Sequence, residues 1–85
     1  MGAEPHRVTL YGRPGCHLCE VARDVILQVR RRHPFAFDEV DIEPNEALVR
    51  DYGFRVPVVE VDGREAFEID VDPRELAALV GDPAS

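Results

Sequence analysis

The sequence predicts an α/β fold in the order β-α-β-α-β-β-α, with a four-stranded mixed sheet flanked by helices. Three observations carry this. The apolar stretch Val8-Thr9-Leu10-Tyr11 runs into a Pro14-Gly15 turn, after which Leu18, Val21, Ala22, Val25, Ile26 and Val29 recur at helical intervals. Further on, Val56-Pro57-Val58-Val59-Glu60-Val61 reads as a strand, and the Asp62-Gly63 that follows is a two-residue hairpin signal. The chain has 85 residues, 45% of them hydrophobic and 32% charged, which is one small domain over 1–85 with room for a two-layer core.

The elements follow in order. Residues 7–11 form a short apolar strand of the kind covered on both faces. The first helix is expected over 17–32 and stops before Pro34. Its last turn, Arg30-Arg31-Arg32, places cations at the negative end of the helix dipole and is expected to be a solvated helix end. Residues 35–42 read as the second strand, although Phe35 and Phe37 fall on one parity and Val40 and Ile42 on the other, so both faces must be partly covered. Glu43-Pro44-Asn45-Glu46 opens a short helix with proline in its first turn; Leu48, Val49 and Tyr52 form its apolar side and Gly53 is expected to be a left-handed cap. The strand over 56–61 and its partner over 64–69 are antiparallel, whereas the first two strands, joined through a helix, are parallel. Asp72-Pro73-Arg74-Glu75 starts the last helix, with Leu76, Leu79 and Val80 apolar and Gly81-Asp82-Pro83 as the stop; the tail at 83–85 is expected to be loose.

Charge narrows the partners. The net charge of −7 argues against nucleic acids and anionic membranes, which are themselves polyanions. No apolar run approaches the roughly 18 residues of a membrane span, and the first seven residues lack the apolar core of a signal peptide, so the expected location is the cytoplasm.

The chemistry concentrates in Tyr11-Gly12-Arg13-Pro14-Gly15-Cys16-His17-Leu18-Cys19, which holds the only two cysteines. In a reducing compartment a pair this close reads as reactive rather than structural. Cys16 is expected at or just before the first helical residue, near unpaired backbone N–H groups and the positive end of the dipole. Such a setting, with Arg13 upstream in an acid-poor bend, lowers a thiol pKa from about 8.5 into a range of roughly 3.5–7.5. Cys19, one turn further in and beside the apolar stripe, is expected to stay protonated and less exposed. Cys16 attacks and Cys19 resolves. An imidazolium at His17 would further stabilise the thiolate, although the helix N-terminus opposes its protonation. His6 and His33 are expected to be surface residues.

These residues, with Val56-Pro57 opening a later strand and the Asp62-Gly63 hairpin, resemble the glutaredoxin-like branch of the thioredoxin superfamily over residues 8–80. The resemblance implies a thioredoxin-like fold, thiol–disulfide oxidoreductase activity and a cis bond at Val56-Pro57. It also implies that the backbone of Val56 pairs with an incoming disulfide-bearing peptide and that Pro57 keeps a competing N–H away from the sulfurs. No bound cofactor is implied. The reductant is an external thiol, either glutathione or a thioredoxin-reductase-type system, and the substrates are disulfide-bearing proteins or small disulfides. The expected state is a monomer.

The chain departs from glutathione-using members in two places. His17-Leu18 stands between the cysteines where those members have Pro-Tyr, and 67–72 has no glycine pair, while Glu68 and Asp70 would repel a glutathione carboxylate. Arg13 matches a basic residue frequent in the family and retains one possible glutathione contact. The alternative function is a metal or iron–sulfur module built on the same cysteines. A structural zinc site needs four ligands, and no second cysteine or histidine pair at short spacing is present; a cluster shared between two chains is the form left open.

Overall fold

The computed structural model describes residues 6–81. Four strands, β1 (Arg7–Gly12), β2 (Ala36–Asp41), β3 (Val58–Val61) and β4 (Arg64–Glu68), and three helices, α1 (His17–Arg32), α2 (Glu46–Tyr52) and α3 (Pro73–Val80), follow in the order β1-α1-β2-α2-β3-β4-α3. The sheet order is β2-β1-β3-β4, with β1 and β2 parallel and the other two pairings antiparallel. This is the mixed sheet that the sequence predicts.

One face of the sheet carries the core. Val8 and Leu10 of β1 and Val59 and Val61 of β3 point to the side where Ala22, Ile26 and Val29 of α1 and Leu76 and Val80 of α3 close over them. The apolar stripe of α1 is narrower than its sequence implies. Leu18 and Val21 remain 49% and 42% exposed, because only the positions in phase with Cys19, Ala22, Ile26 and Val29 look at the sheet. Leu79 of α3 is likewise 46% exposed.

The parity conflict in β2 resolves by coverage of both faces. Phe37 pairs with Val8 and packs against the core, and Phe35, just before the strand, is buried there too. Val40 pairs with Tyr11 on the opposite face, and Ile42, just after the strand, is fully buried.

α2 lies on that opposite face and starts later than expected. Asn45 caps it, accepting from the N–H groups of Ala47 and Leu48, so Pro44 precedes the helix rather than standing in its first turn. Gly53 is not left-handed; its φ of −53° and ψ of −37° continue the right-handed turn. Glycine is needed there for space, since a Cβ would collide with the carbonyl oxygen of Val49.

The hairpin is as its sequence demands: Asp62 and Gly63 both take positive φ, 55° and 83°, the pattern of a type I′ turn. Asp62 is anchored by the N–H of Arg7 at 2.9 Å and by the His6 ring. A register shift between Val59 and Glu60 then leaves Ala66 without a partner in β3. That bulge has a consequence for side-chain direction. Glu65 and Glu68 are an odd number of residues apart and would face opposite ways in a regular strand, but here they pair with Glu60 and Val58 and face the same way. Arg55 therefore reaches both, at 2.5 and 2.9 Å.

β4 ends at Glu68, one residue short of expectation, because Ile69 takes a left-handed φ of 71°. Val71 is then buried in the core before Asp72 caps α3 by accepting from the N–H groups of Arg74 and Glu75. The expected features of the tail at 83–85 lie outside the described residues.

Candidate functional site

The site is built where β1 hands the chain to α1. Pro14 and Gly15 turn it, with Gly15 at φ 72°, a conformation that favours glycine. Cys16 follows as the N-cap of α1 in an extended conformation, immediately before the first helical residue. Its Sγ accepts the backbone N–H of Cys19 at 3.1 Å. One of the otherwise unpaired donors of the helix start is thus aimed at the sulfur, an arrangement that favours negative charge there.

Cys16 and Cys19 are joined as a disulfide, their Cα atoms 5.2 Å apart. Cys16 is half-buried and Cys19 is buried, so Cys16 is the more accessible of the two sulfurs. Gly12 makes this closeness possible, since a Cβ at that position would lie 3.0 Å from the Sγ of Cys19. Nothing in the local sequence marks Gly12 for this role beyond its place at the end of β1.

The Val56–Pro57 bond is cis and Pro57 is fully buried. Tyr11 pairs with Val58, so the antiparallel register carries Pro57 alongside Gly12, next to the sulfur bridge. Val56 is half-buried and enters none of the backbone hydrogen bonds seen outside strands and helices among the described residues. His17 is exposed at the start of α1.

Arg13 turns its guanidinium toward α2, donating to the carbonyl oxygen of Gly53 at 3.3 Å, with Nε 3.6 Å from Glu43. It thereby ties the Cys turn to the end of α2. The bend is not acid-poor in three dimensions. A cavity of about 320 Å³ beside the sulfurs is lined by Cys16 and Cys19 together with Glu20, Glu39 and Asp41. Of these, Glu39 is held by Arg23, whose Nε donates to it at 2.9 and 3.0 Å. Glu39 and Asp41 come from β2, some twenty residues downstream, and only the parallel pairing with β1 brings them to the site. Among the described residues, no group of three or more His, Cys, Asp or Glu side chains converges to hold a metal ion.

A thioredoxin-type sheet, with a Cys-x-x-Cys at the N-terminus of its first helix and a cis-proline beside it, defines a member of the thioredoxin superfamily. Within it, residues 7–81 match the Glutaredoxin-like domain (DUF836), and the chain belongs to that family. A protein from Nitrosomonas europaea with a solution NMR structure is 30% identical over 95% of this chain and 98% of its own, with a TM-score of 0.82. An X. campestris protein with an X-ray structure is 40% identical, covering 84% of this chain and 91% of its own, at a TM-score of 0.70. A mutant thioredoxin from Halobacterium salinarum, 23% identical, covers 91% of this chain and 73% of its own at a TM-score of 0.65, a likeness of fold. No functionally curated protein matches the chain.

Proposed function

We propose that this protein is a dithiol oxidoreductase of the cytoplasm that reduces disulfides through Cys16 and Cys19. The observation that carries the reading is the seat of Cys16: an N-cap sulfur, partly open to solvent, that accepts a backbone N–H and lies within bonding reach of a buried second cysteine.

In the reduced protein the Cys16 thiolate attacks one sulfur of a substrate disulfide. That S–S bond breaks, the other substrate sulfur leaves as a thiolate that takes up a proton, and a mixed disulfide forms. Cys19 gives up its proton and attacks Cys16, releasing the second substrate thiol and closing the Cys16–Cys19 bridge. Two electrons pass from the dithiol to the substrate, and an external thiol reductant returns two electrons to the bridge.

Protein disulfides are the preferred substrates in this reading. Leu18, between the two cysteines, and Val21, one turn along, leave apolar surface next to the reactive sulfur, and Phe54 is fully exposed two residues before Val56. The backbone of Val56 supplies the donor and acceptor for an extended peptide. Glutathione finds less support: the positions after the hairpin hold Glu68, paired with Arg55, and the exposed Asp70, and Arg13 is engaged by Gly53 and Glu43. A thioredoxin-reductase-type system is the proposed reductant.

Replacing Cys16 with serine should abolish reduction of a protein disulfide in a dithiol-coupled assay; unchanged turnover overturns the mechanism. Cys19→Ser should instead accumulate a mixed disulfide visible by mass spectrometry. Incubating the oxidised protein separately with glutathione and with a thioredoxin-reductase system, then counting free thiols, identifies the reductant.

A further inference from the structure

At the far end of α1, about 24 Å from the Cys turn for a helix of this length, the molecule carries a groove of opposite character to its acidic whole. It has a volume of about 610 Å³ and is lined by Arg31, Arg32 and His33 at the end of α1, Arg74 in the first turn of α3, and Gln28. Among the described residues, its lining contains no carboxylate.

Two observations set this groove apart from a solvated helix end. The first is the distribution of ion pairs. Arg7, Arg13, Arg23, Arg50 and Arg55 each lie within ion-pair distance of a carboxylate. Among the described residues, the arginines without one are Arg30, which donates to the Phe35 carbonyl at 2.8 Å, Arg64 on β4, and the three that line the groove. In a chain with 17 acids and 10 arginines, three guanidiniums in one concavity with no carboxylate partner among the described residues are not what charge balance produces.

The second is Arg74. Cations at the C-terminus of α1 are explained by its dipole, but a cation in the first turn of α3 stands at the positive end of that helix, where it is disfavoured. It also lines the same groove as Arg31 and Arg32, two further cations. The dipole of α3 gains nothing from this placement. A local choice that works against stability points to function.

We infer that this groove binds an oligophosphate, a compact anion with at least two negative charges. Guanidiniums approaching from two helices match the planar, bidentate acceptance of phosphate oxygens, and the volume lies in the range of roughly 300–1,000 Å³ typical of small-molecule sites. The N–H groups of Arg74 and Glu75 are already taken by Asp72, so the side chains of Arg31, Arg32, Arg74 and Gln28 supply the donors. The site stands apart from the sulfurs and does not depend on the exchange reaction.

The test is a titration of the full chain at low ionic strength, followed by amide NMR, with pyrophosphate in one arm, ADP in a second and a poly-glutamate peptide in a third. Pyrophosphate is expected to give saturable shifts confined to 28–33 and 74–77. Arg32→Gln and Arg74→Gln should each weaken it about tenfold, the worth of one charge-assisted hydrogen bond, whereas Arg64→Gln should change nothing. Tighter binding of ADP than of pyrophosphate would assign the phosphate tail of a nucleotide; equal binding would assign the free anion. No saturation at millimolar pyrophosphate, equal weakening by Arg64→Gln, or binding of the peptide alone overturns the inference.

Discussion

On the face of the sheet covered by α1 and α3, Val8, Leu10, Val59 and Val61 pack into one cluster of buried apolar side chains. On the other face, Tyr11 and Tyr52 stack with centroids 4.8 Å apart and donate to the two oxygens of Glu60 at 3.1 and 3.3 Å. Arg55 sits over the Tyr52 ring and grips Glu65 and Glu68, while α2 buries no residue of its own. Leu48, Val49 and Tyr52 of this short helix are only half-buried, and it is fastened in addition by an aromatic and ionic network. The first face supplies most of the stability, because burial accumulates with area, whereas partly exposed ion pairs contribute little each. The second face sets where α2, and with it the Gly53 carbonyl that holds Arg13, stands relative to the Cys turn.

Single substitutions measure the difference. Leu10→Ala, at a fully buried site, should lower the unfolding free energy by about 3 kcal/mol, a large share of the total for so small a domain. Denaturant unfolding reads it directly, and a loss no greater than that of Glu60→Gln would erase the contrast between the faces.

Glu60→Gln should cost about 1 kcal/mol, since one charged acceptor serves two partly buried hydroxyls. It should also be visible in tyrosine titration. Burial, then the Glu60 hydrogen bond and charge, push Tyr11 up to about 12, and the same causes raise Tyr52. A raised native pKa means that stability is fully present below the ordinary value of 10.0 and is lost as pH rises toward about 12. The variant should narrow this alkaline window but not close it, because burial, the largest cause, remains.

Ile69→Gly should stabilise the protein by roughly 1 kcal/mol, as a β-branched residue held in the left-handed region is strained and this one is 40% exposed. A lower melting temperature would show that its side chain does more than the backbone strain costs.

The smallest effect concerns Asp62. The Arg7 N–H and then the His6 ring hold its carboxyl below the usual 3.8. Stability from this anchor is present above that value and is lost as pH falls through the depressed native pKa. Asp62→Asn should flatten the acid limb slightly, and an unchanged pH profile would show the anchor to be energetically silent.

Much of this molecule is legible from local sequence. The α1 boundaries, the N-cap seat of Cys16, the I′ turn at Asp62-Gly63 and the capped, proline-led start of α3 depend on residues within a turn of one another, and capping and turn chemistry read at that range. Other features needed the folded chain. Glu39 and Asp41 arrive beside the sulfurs from β2 through strand pairing, Gly53 is glycine because of a carbonyl four residues back, and Leu18 and Val21 are left outside by the phase in which α1 turns toward the sheet. The Ala66 bulge, which turns Glu65 and Glu68 to one side for Arg55, has no signature in a strand five residues long. Local capping and turn chemistry specify most element boundaries, whereas register and helix docking are set by contacts between segments far apart in the chain, and those decide what surrounds the two cysteines.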